Sequence, residues 1–270
     1  MKYDIPDRTL TILADGEPVS GYARVELLGT ERMGLYPSLF MLHLWNVAEE
    51  DYLMLSRCRK AAIKHGDVVL VSGVVPDAFR SGTKSGTEVH VAISPGLPLW
   101  EAPVSLSVEA GVSVSETVQR LLEASGTGIQ LLSFSGEDPS FSRGQAFFGR
   151  AAECIETALS AAGARACLVP SGLCVVPAGG LPVSVTLSEE DLMDSPAFAS
   201  GGRMILRTIP AGWTVGKTVE VSFRGSMNRG IIVERMLDLD TGDGEWLSEL
   251  LVEIHNSGFI MRERVWNTKK

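Results

Sequence analysis

The sequence predicts a mainly β protein with an α+β middle domain, in which two related small β-barrel domains flank a mixed α/β domain. Three observations carry this. Short, partly alternating apolar runs fill the first part of the chain and return after residue 184. Between them lie two stretches of helical periodicity with marked ends. The 28 glycines among 270 residues favour a turn-rich chain over a helical bundle. The predicted boundaries are 1–98 for the first β-barrel domain, 99–183 for the middle domain, 184–258 for the second β-barrel domain and 259–270 for a C-terminal arm.

In the first domain the strands are "TLTIL", "YARVELL", "LFMLHLW", "VVLVSGVV" and "EVHVAI". Each is rich in β-branched and aromatic residues. Turn chemistry separates them at "ADGEP", "KHGD" and "RSGTKSGT", and "EEDYLMLSRC" predicts a short helix. The stretch "SPGLPLWEAP" (94–103) is rich in Pro and Gly. It reads as a domain boundary that breaks any regular element.

The middle domain reads as α, β, α, β, β. In "SVSETVQRLLEASG" the pair Ser113 and Glu116 fits a capping box. Val114, Val118, Leu121 and Leu122 form one apolar face, and Gly126 fits a left-handed stop. "IQLLSF" follows as a strand. "RAAECIETALSAAG" predicts a second helix with Ile155, Ala158, Leu159 and Ala162 on one side, ending at Gly163. "ARACLVPSGLCVVP" reads as a hairpin turning at Pro170-Ser171-Gly172.

A short helix at "SEEDLM" then precedes four strands, "RMILRTI", "TVEVSFR", "GIIVERMLDL" and "WLSELLVEI". "HGDVVLVSG" in the first domain can be laid over "VGKTVEVSF" in the third. Gly66 then falls on Gly216, Val69 on Val219, Val71 on Val221 and Ser72 on Ser222. The match suggests that the two β-domains are copies.

Two segments imitate ligand motifs. "AGWTVGKT" (Ala211–Thr218) has the loose spelling of a phosphate-binding loop, which requires a helix starting at the Lys-Thr. Here Val219, Val221 and Phe223 alternate with polar residues, which predicts a strand instead. "DLDTGDGEW" (Asp238–Trp246) has acids at alternate positions, but Gly and Asp fall out of the order that a calcium loop requires. A hairpin with Gly242 and Gly244 at positive φ is the better reading. His43, His65, His90 and His255 are scattered and read as structural. Cys58, Cys154, Cys167 and Cys174 lack paired spacing and read as free buried thiols of a reducing compartment. The sequence thus nominates no catalytic, cofactor-binding or metal-ligating residue and no cofactor.

The formal charge of −9 and pI of about 5.0 oppose general nucleic-acid binding. No apolar run is long enough to span a bilayer. "MKYDIPDRTLTIL" does not read as a signal peptide. Assembly in a cytoplasm without membrane insertion is the expectation.

Taken together, "IKHGDVVLVSGVV", "VSLSVEAGVSVSETVQRLLEASGTGIQLL", "RGQAFFGRAAECIETALSAAG", "ACLVPSGLCVVP", "GWTVGKTVEVSF" and "GEWLSELLVEI" resemble the baseplate hub proteins of contractile-tailed bacteriophages, especially Mu-like phages and prophages. The resemblance covers roughly residues 5 to 255. It implies a structural, non-enzymatic virion protein of the tail baseplate, assembled in the bacterial host cytoplasm. It also implies a homotrimer with two similar barrels per subunit. Six barrels in a ring would adapt the sixfold tail tube to the threefold spike around a central channel. The implied partners are further copies of the chain, the spike protein, the tail tube or tape-measure protein and other baseplate proteins, with DNA only as transient cargo. The alternative is a barrel-type binding module for oligosaccharide or nucleic acid.

Overall fold

The computed structural model describes residues 8–83, 86–177 and 184–255; the arm predicted over 259–270 lies outside them. The described chain is mainly β with few helices. β1 (Thr11–Ala14) and β2 (Glu17–Val19) form a tight hairpin in which Asp15 and Gly16 both take positive φ, as a two-residue turn requires. Next come β3 (Arg24–Arg32), β4 (Leu39–Trp45), α1 (Glu49–Arg57), β5 (Lys60–His65), β6 (Val68–Thr83) and β7 (Gly86–Ser94). β4 shows why the alternation is readable: Phe40, Leu42 and Leu44 are fully buried, and the residues between them face outward. β5 is a strand the sequence does not announce. Its lysines and histidine conceal the two buried residues, Ala61 and Ile63. β6 continues to Thr83, through much of the stretch predicted as a turn.

The Pro- and Gly-rich boundary is not free of regular structure. Within it lies α2 (Leu97–Glu101), entered from Gly96 at φ 81°, with Pro98 in its first turn and Leu99 buried. Proline suits that position because the first helical N–H groups have no intrahelical partner.

The middle segment comprises β8 (Pro103–Val108), α3 (Val114–Ser125), β9 (Leu131–Phe134), β10 (Gln145–Arg150), α4 (Ala151–Ser160), β11 (Ala164–Val169) and β12 (Gly172–Pro177). α3 buries the predicted face and ends at Gly126, φ 64°. Its capping box is half formed: Ser113 Oγ accepts from the Glu116 N–H at 3.2 Å, whereas the Glu116 carboxylate turns to Arg120. α4 buries Ile155, Ala158 and Leu159, and Gly163 follows at φ 58°. β8 and β10 pair antiparallel, and both fall outside the predicted α, β, α, β, β order. β8 alternates, with Val104 and Val108 buried between exposed serines, but it follows directly on the Pro- and Gly-rich boundary; β10 buries only Phe147, so its alternation is weak.

The last segment holds β13 (Val185–Leu187), β14 (Ala197–Ala199), β15 (Arg203–Thr208), β16 (Thr218–Phe223), β17 (Ser226–Asp240) and β18 (Trp246–Ile254). The helix predicted at "SEEDLM" shrinks to one 3-10 turn, Glu189–Asp191, capped by Ser188 and Asp191.

Three apolar cores result. The first spans β1 to β7 and also takes Leu237, Leu239 and Trp246 from β17 and β18. The second joins α2, α3 and α4 to the middle strands, and the third lies beneath β15 to β18.

One large sheet runs β14-β15-β18-β17-β3-β4-β7-β6-β5-β1-β2, with β16 on the first half of β17 and β13 beyond β16. Among the described residues neither strand set closes into a barrel. The reason is visible at β3. The edge that could close the first set is occupied by β17, with Glu234 opposite Arg32 and Asp240 opposite Glu26.

The strand order repeats. The path β3-β4-β7-β6-β5-β1 has the same chain order as β14-β15-β18-β17-β16-β13. β6 and β17 are both long, and each pairs first with the preceding strand, then bulges and continues against the following one. The bulges lie between Val74 and Asp77 and between Ile232 and Glu234. Beyond each bulge the rows correspond: Leu28–Met41–Ala92–Asp77 in the first set, Ala197–Ile205–Leu251–Glu234 in the last. One joint differs, since β1 pairs β5 antiparallel and β13 pairs β16 parallel. This path corrects the alignment read from the sequence. That alignment lays β16 on β6, whereas the strand order lays β16 on β5 and β17 on β6.

Candidate functional site

"AGWTVGKT" leads into a strand. β16 begins at Thr218, and no helix starts at the Gly-Lys-Thr. Lys217 Nζ donates to the Gly212 carbonyl at 2.7 Å. Burial, and then the charge of Arg235, lower its pKa. Gly216 sits at φ 86°, against the β11–β12 hairpin; a Cβ there would overlap the Cys167 sulfur. The segment therefore seats a turn and offers no successive amides to a phosphate.

This turn also serves the most buried charge among the described residues. Arg235 on β17 is 0% exposed. It donates from Nη1 to the Trp213 carbonyl at 2.8 Å and from Nη2 to the Leu70 carbonyl of β6 at 2.6 Å. Its Nε lies 3.0 Å from Glu31 Oε1 on β3, yet that N–H makes no hydrogen bond. The contact is chiefly one of charge. Burial pushes the Glu31 carboxyl up, and Arg235 pulls it back down. One guanidinium thus ties β17, β3, β6 and the 213 turn together.

The second imitation, Asp238–Trp246, is the β17–β18 hairpin. Asp240 accepts from Arg24 and from the N–H groups of Gly242 and Gly244. The Arg24 hydrogen bond leads the interactions that hold its carboxyl below the usual range. Neither glycine takes positive φ, contrary to the expectation. They are small for want of space: a Cβ on Gly242 would lie 3.2 Å from Arg24 Nε and Asp240 Oδ1, and one on Gly244 would overlap Asp240.

All four cysteines are free; Cys174 is half-buried and the others are buried. Burial first, then Cys174 and Glu31, push the Cys167 thiol up to about 12.

The histidines are less scattered than the sequence suggests. His43 on β4 stands directly opposite His90 on β7, their rings 4.6 Å apart. Glu88 and Glu26 flank them. The available signal is "EVH" in β7: residues two apart on a strand share a face, so Glu88 and His90 lie together. The pairing of β4 with β7, which supplies His43, has no sequence signature.

The surface carries two features suited to assembly. The half of β6 beyond its bulge pairs only with β7, and its other edge has no strand beside it among the described residues. Leu28, Tyr36 and Leu39 are about half exposed or more, at 49%, 65% and 54%, and with Met41 and Met236 they line an open groove of about 550 Å³ on the β17-β3-β4 face. Unpaired strand edges and contiguous apolar patches are both surfaces that proteins normally cover.

No protein-family model matches this sequence, and no curated protein matches it. The fold, however, is that of phage and prophage tail proteins. The tail protein from Neisseria meningitidis MC58 superposes with a TM-score of 0.68 at 11% identity, over 90% of this chain and 95% of that one. The 43 kDa tail protein of prophage MuSo2 from Shewanella oneidensis gives 0.67 at 10%, over 90% and 95%. The E. coli c3393 protein, a component of the type VI secretion system described as similar to the T4 tail proteins gp27 and gp5, gives 0.64 at 10%, over 91% and 77%.

Proposed function

We propose that this chain is a structural subunit of a phage-type tail baseplate. Three copies form a hub ring with a central channel, which adapts a sixfold tube to a threefold spike. The observation that carries this reading is the repeated strand order. Two related β units in one polypeptide give a threefold assembly six similar positions, and the fold likeness to tail proteins agrees with it. Function resides in buried edges and patches, and no chemistry is proposed. The partners are further copies of the chain, a spike protein, a tail tube or tape-measure protein and other baseplate proteins. DNA is only passing cargo, which a net charge of −9 would not retain.

The repeat also specifies the joint between copies. Within the chain, β3 occupies the edge of β17 beyond its bulge. The equivalent edge of β6 has no strand, and β14 is the counterpart of β3 at the end of the described sheet. Adding β14 of one copy to β6 of the next continues the sheet around the ring, which removes the exposed edges. The register follows from the rows. Leu28 pairs with Asp238, four residues past Glu234. Its counterpart Ala197 therefore meets Ser81, four residues past Asp77.

The test is a double variant, Ser81→Cys with Ala197→Cys, in the full chain. Opposed residues of antiparallel strands have Cα atoms about 4.5–5.5 Å apart, within disulfide range. Oxidation should yield covalent trimers, and each single variant should yield none. A chain that sediments as a monomer at micromolar concentration and does not cross-link would overturn the reading.

A further inference from the structure

We propose that His43, Glu88 and His90 form a binding site for a divalent transition metal, with zinc the best match to the donor set. The three ligand atoms come from two neighbouring strands. The Glu88 carboxylate oxygen lies 3.5 Å from His43 Nδ1 and 3.7 Å from His90 Nε2, and all three atoms fall within 4.8 Å of one another. A tetrahedral zinc with bonds of about 2.0–2.1 Å holds its ligands roughly 3.4 Å apart. Both carboxylate separations already match. The two imidazole nitrogens, within 4.8 Å of one another, must close by about 1.4 Å at most to reach that spacing.

Several features make this more than a chance cluster. The ligands stand on β4 and β7 in fixed register, His43 opposite His90, with Glu88 two residues from His90 on the same face. Sites built on paired strands hold their geometry better than sites on loops. Two imidazoles with a carboxylate form a donor set that favours zinc, copper, iron or nickel over magnesium or calcium. Glu26, directly opposite His43 on β3, brings a second carboxylate to 3.7 Å from His43 Nδ1, in reach of a fourth coordination position. Among the described residues, histidines are the only basic side chains in ion-pair distance of Glu26 or Glu88. Arg24 also lies near enough to Glu26 to feel its charge, whereas Glu88 has only the two histidines. Phe79 stacks on His90 at 4.7 Å and fixes its ring plane. The Ser81 hydroxyl lies 3.0 Å from His90 Nε2.

A metal here would staple β4 to β7 in the middle of the first strand set. Binding to the folded chain alone raises its stability by mass action. This inference does not depend on the hub reading.

The experiment uses untagged full-length chain stripped with a chelator, then titrated calorimetrically with Zn²⁺ and spectroscopically with Co²⁺. One equivalent should bind with micromolar or tighter affinity. Co²⁺ should develop the intense visible absorption of a four-coordinate site, and zinc should raise the melting temperature. His43→Gln and the near-isosteric Glu88→Gln should each weaken binding by about tenfold or more. His65→Gln, on β5, should leave it unchanged. Absence of saturable binding by the wild-type chain would overturn the proposal. So would equal affinity in the Glu88→Gln variant when circular dichroism shows that variant folded.

Discussion

β6 and β17 are counterparts, and they meet their surroundings differently. Both bend at a bulge and present a second half to a neighbouring strand. On β17 that edge is filled by β3 of the same chain; on β6 it has no strand among the described residues. Their sequences follow this difference. The second residue past the bulge is Arg235 on β17, fully buried and bonded to two carbonyls, whereas on β6 it is Ala78, half-buried at the rim of the first core. The filled edge has a buried charged anchor within the seam, while the charge on the open half of β6, Arg80, turns to Glu49 and Tyr52 of α1. In a repeated fold, then, the strand path is retained, and the side chains record which joints are made inside the chain.

The largest effect expected from breaking this asymmetry lies at Arg235. Arg235→Ala leaves Glu31 buried without its charge partner and frees the Trp213 and Leu70 carbonyls. Loss of one partner of a buried pair costs about 3–5 kcal/mol, a large part of the stability of an ordinary domain. Replacing the pair together, Arg235→Met with Glu31→Gln, should recover part of that loss, because no buried charge is stranded, although the Trp213 and Leu70 carbonyls stay without the guanidinium. Ala78→Gly at the counterpart position should cost about 1 kcal/mol or less. Urea unfolding of the four chains measures this. A loss for Arg235→Ala no greater than that for Ala78→Gly would show that the seam does not depend on the guanidinium.

Much of this plan can be read from sequence, for reasons particular residues make clear. β4 and β7 bury one face and leave the other partly open, and β16 buries Val219 and Val221 while Glu220 and Ser222 stay half-buried, so their alternation survives in the text. α3 and α4 carry their apolar stripes and glycine stops. By contrast, β5 hides its two buried residues among charges, β10 buries too little to leave a pattern, and α2 lies beneath a Pro-Gly signal that ordinarily means a turn; β8 alternates but is overshadowed by that same signal. The repeat is legible only as a suspicion. Gly66 and Gly216 resemble one another because each turns into a strand, not because those strands correspond. Strand order is set by long-range pairing, which no local window contains, and this conceals both the true repeat and the meeting of His43 with His90.

The two glycines sharpen the point in a smaller way. Both are left-handed, Gly66 at φ 56° and Gly216 at φ 86°. A Cβ on Gly66 meets nothing within 4 Å, whereas one on Gly216 overlaps the Cys167 sulfur. Gly66→Ala should lose only the conformational term, about 1–2 kcal/mol. Gly216→Ala adds the expense of overpacking, a further 1–3 kcal/mol or so. Thermal melts of the two variants check the difference; equal losses would place the Gly216 turn away from the β11–β12 hairpin.

The smallest effect is expected at the far end of the same seam, where Asp240 meets Arg24. The hydrogen bond from Arg24 holds the Asp240 pKa below its ordinary value, with the Gly242 and Gly244 amides adding to it. A carboxyl whose folded pKa is depressed stabilises the fold above its unfolded pKa, near pH 4, and that contribution is lost as the pH falls through the folded value. The exposed half of the pair, Arg24, has 46% of its side chain in solvent, which screens the charge term and keeps the effect modest. Asp240→Asn should therefore lower stability at neutral pH by about 1 kcal/mol, the usual net worth of such hydrogen bonds. It should also flatten the acid limb of the stability profile below pH 4. Unfolding followed at several pH values across that range measures both. An acid limb unchanged by the substitution would assign the proton uptake to another carboxyl and leave Arg24 as a packing contact over Trp45.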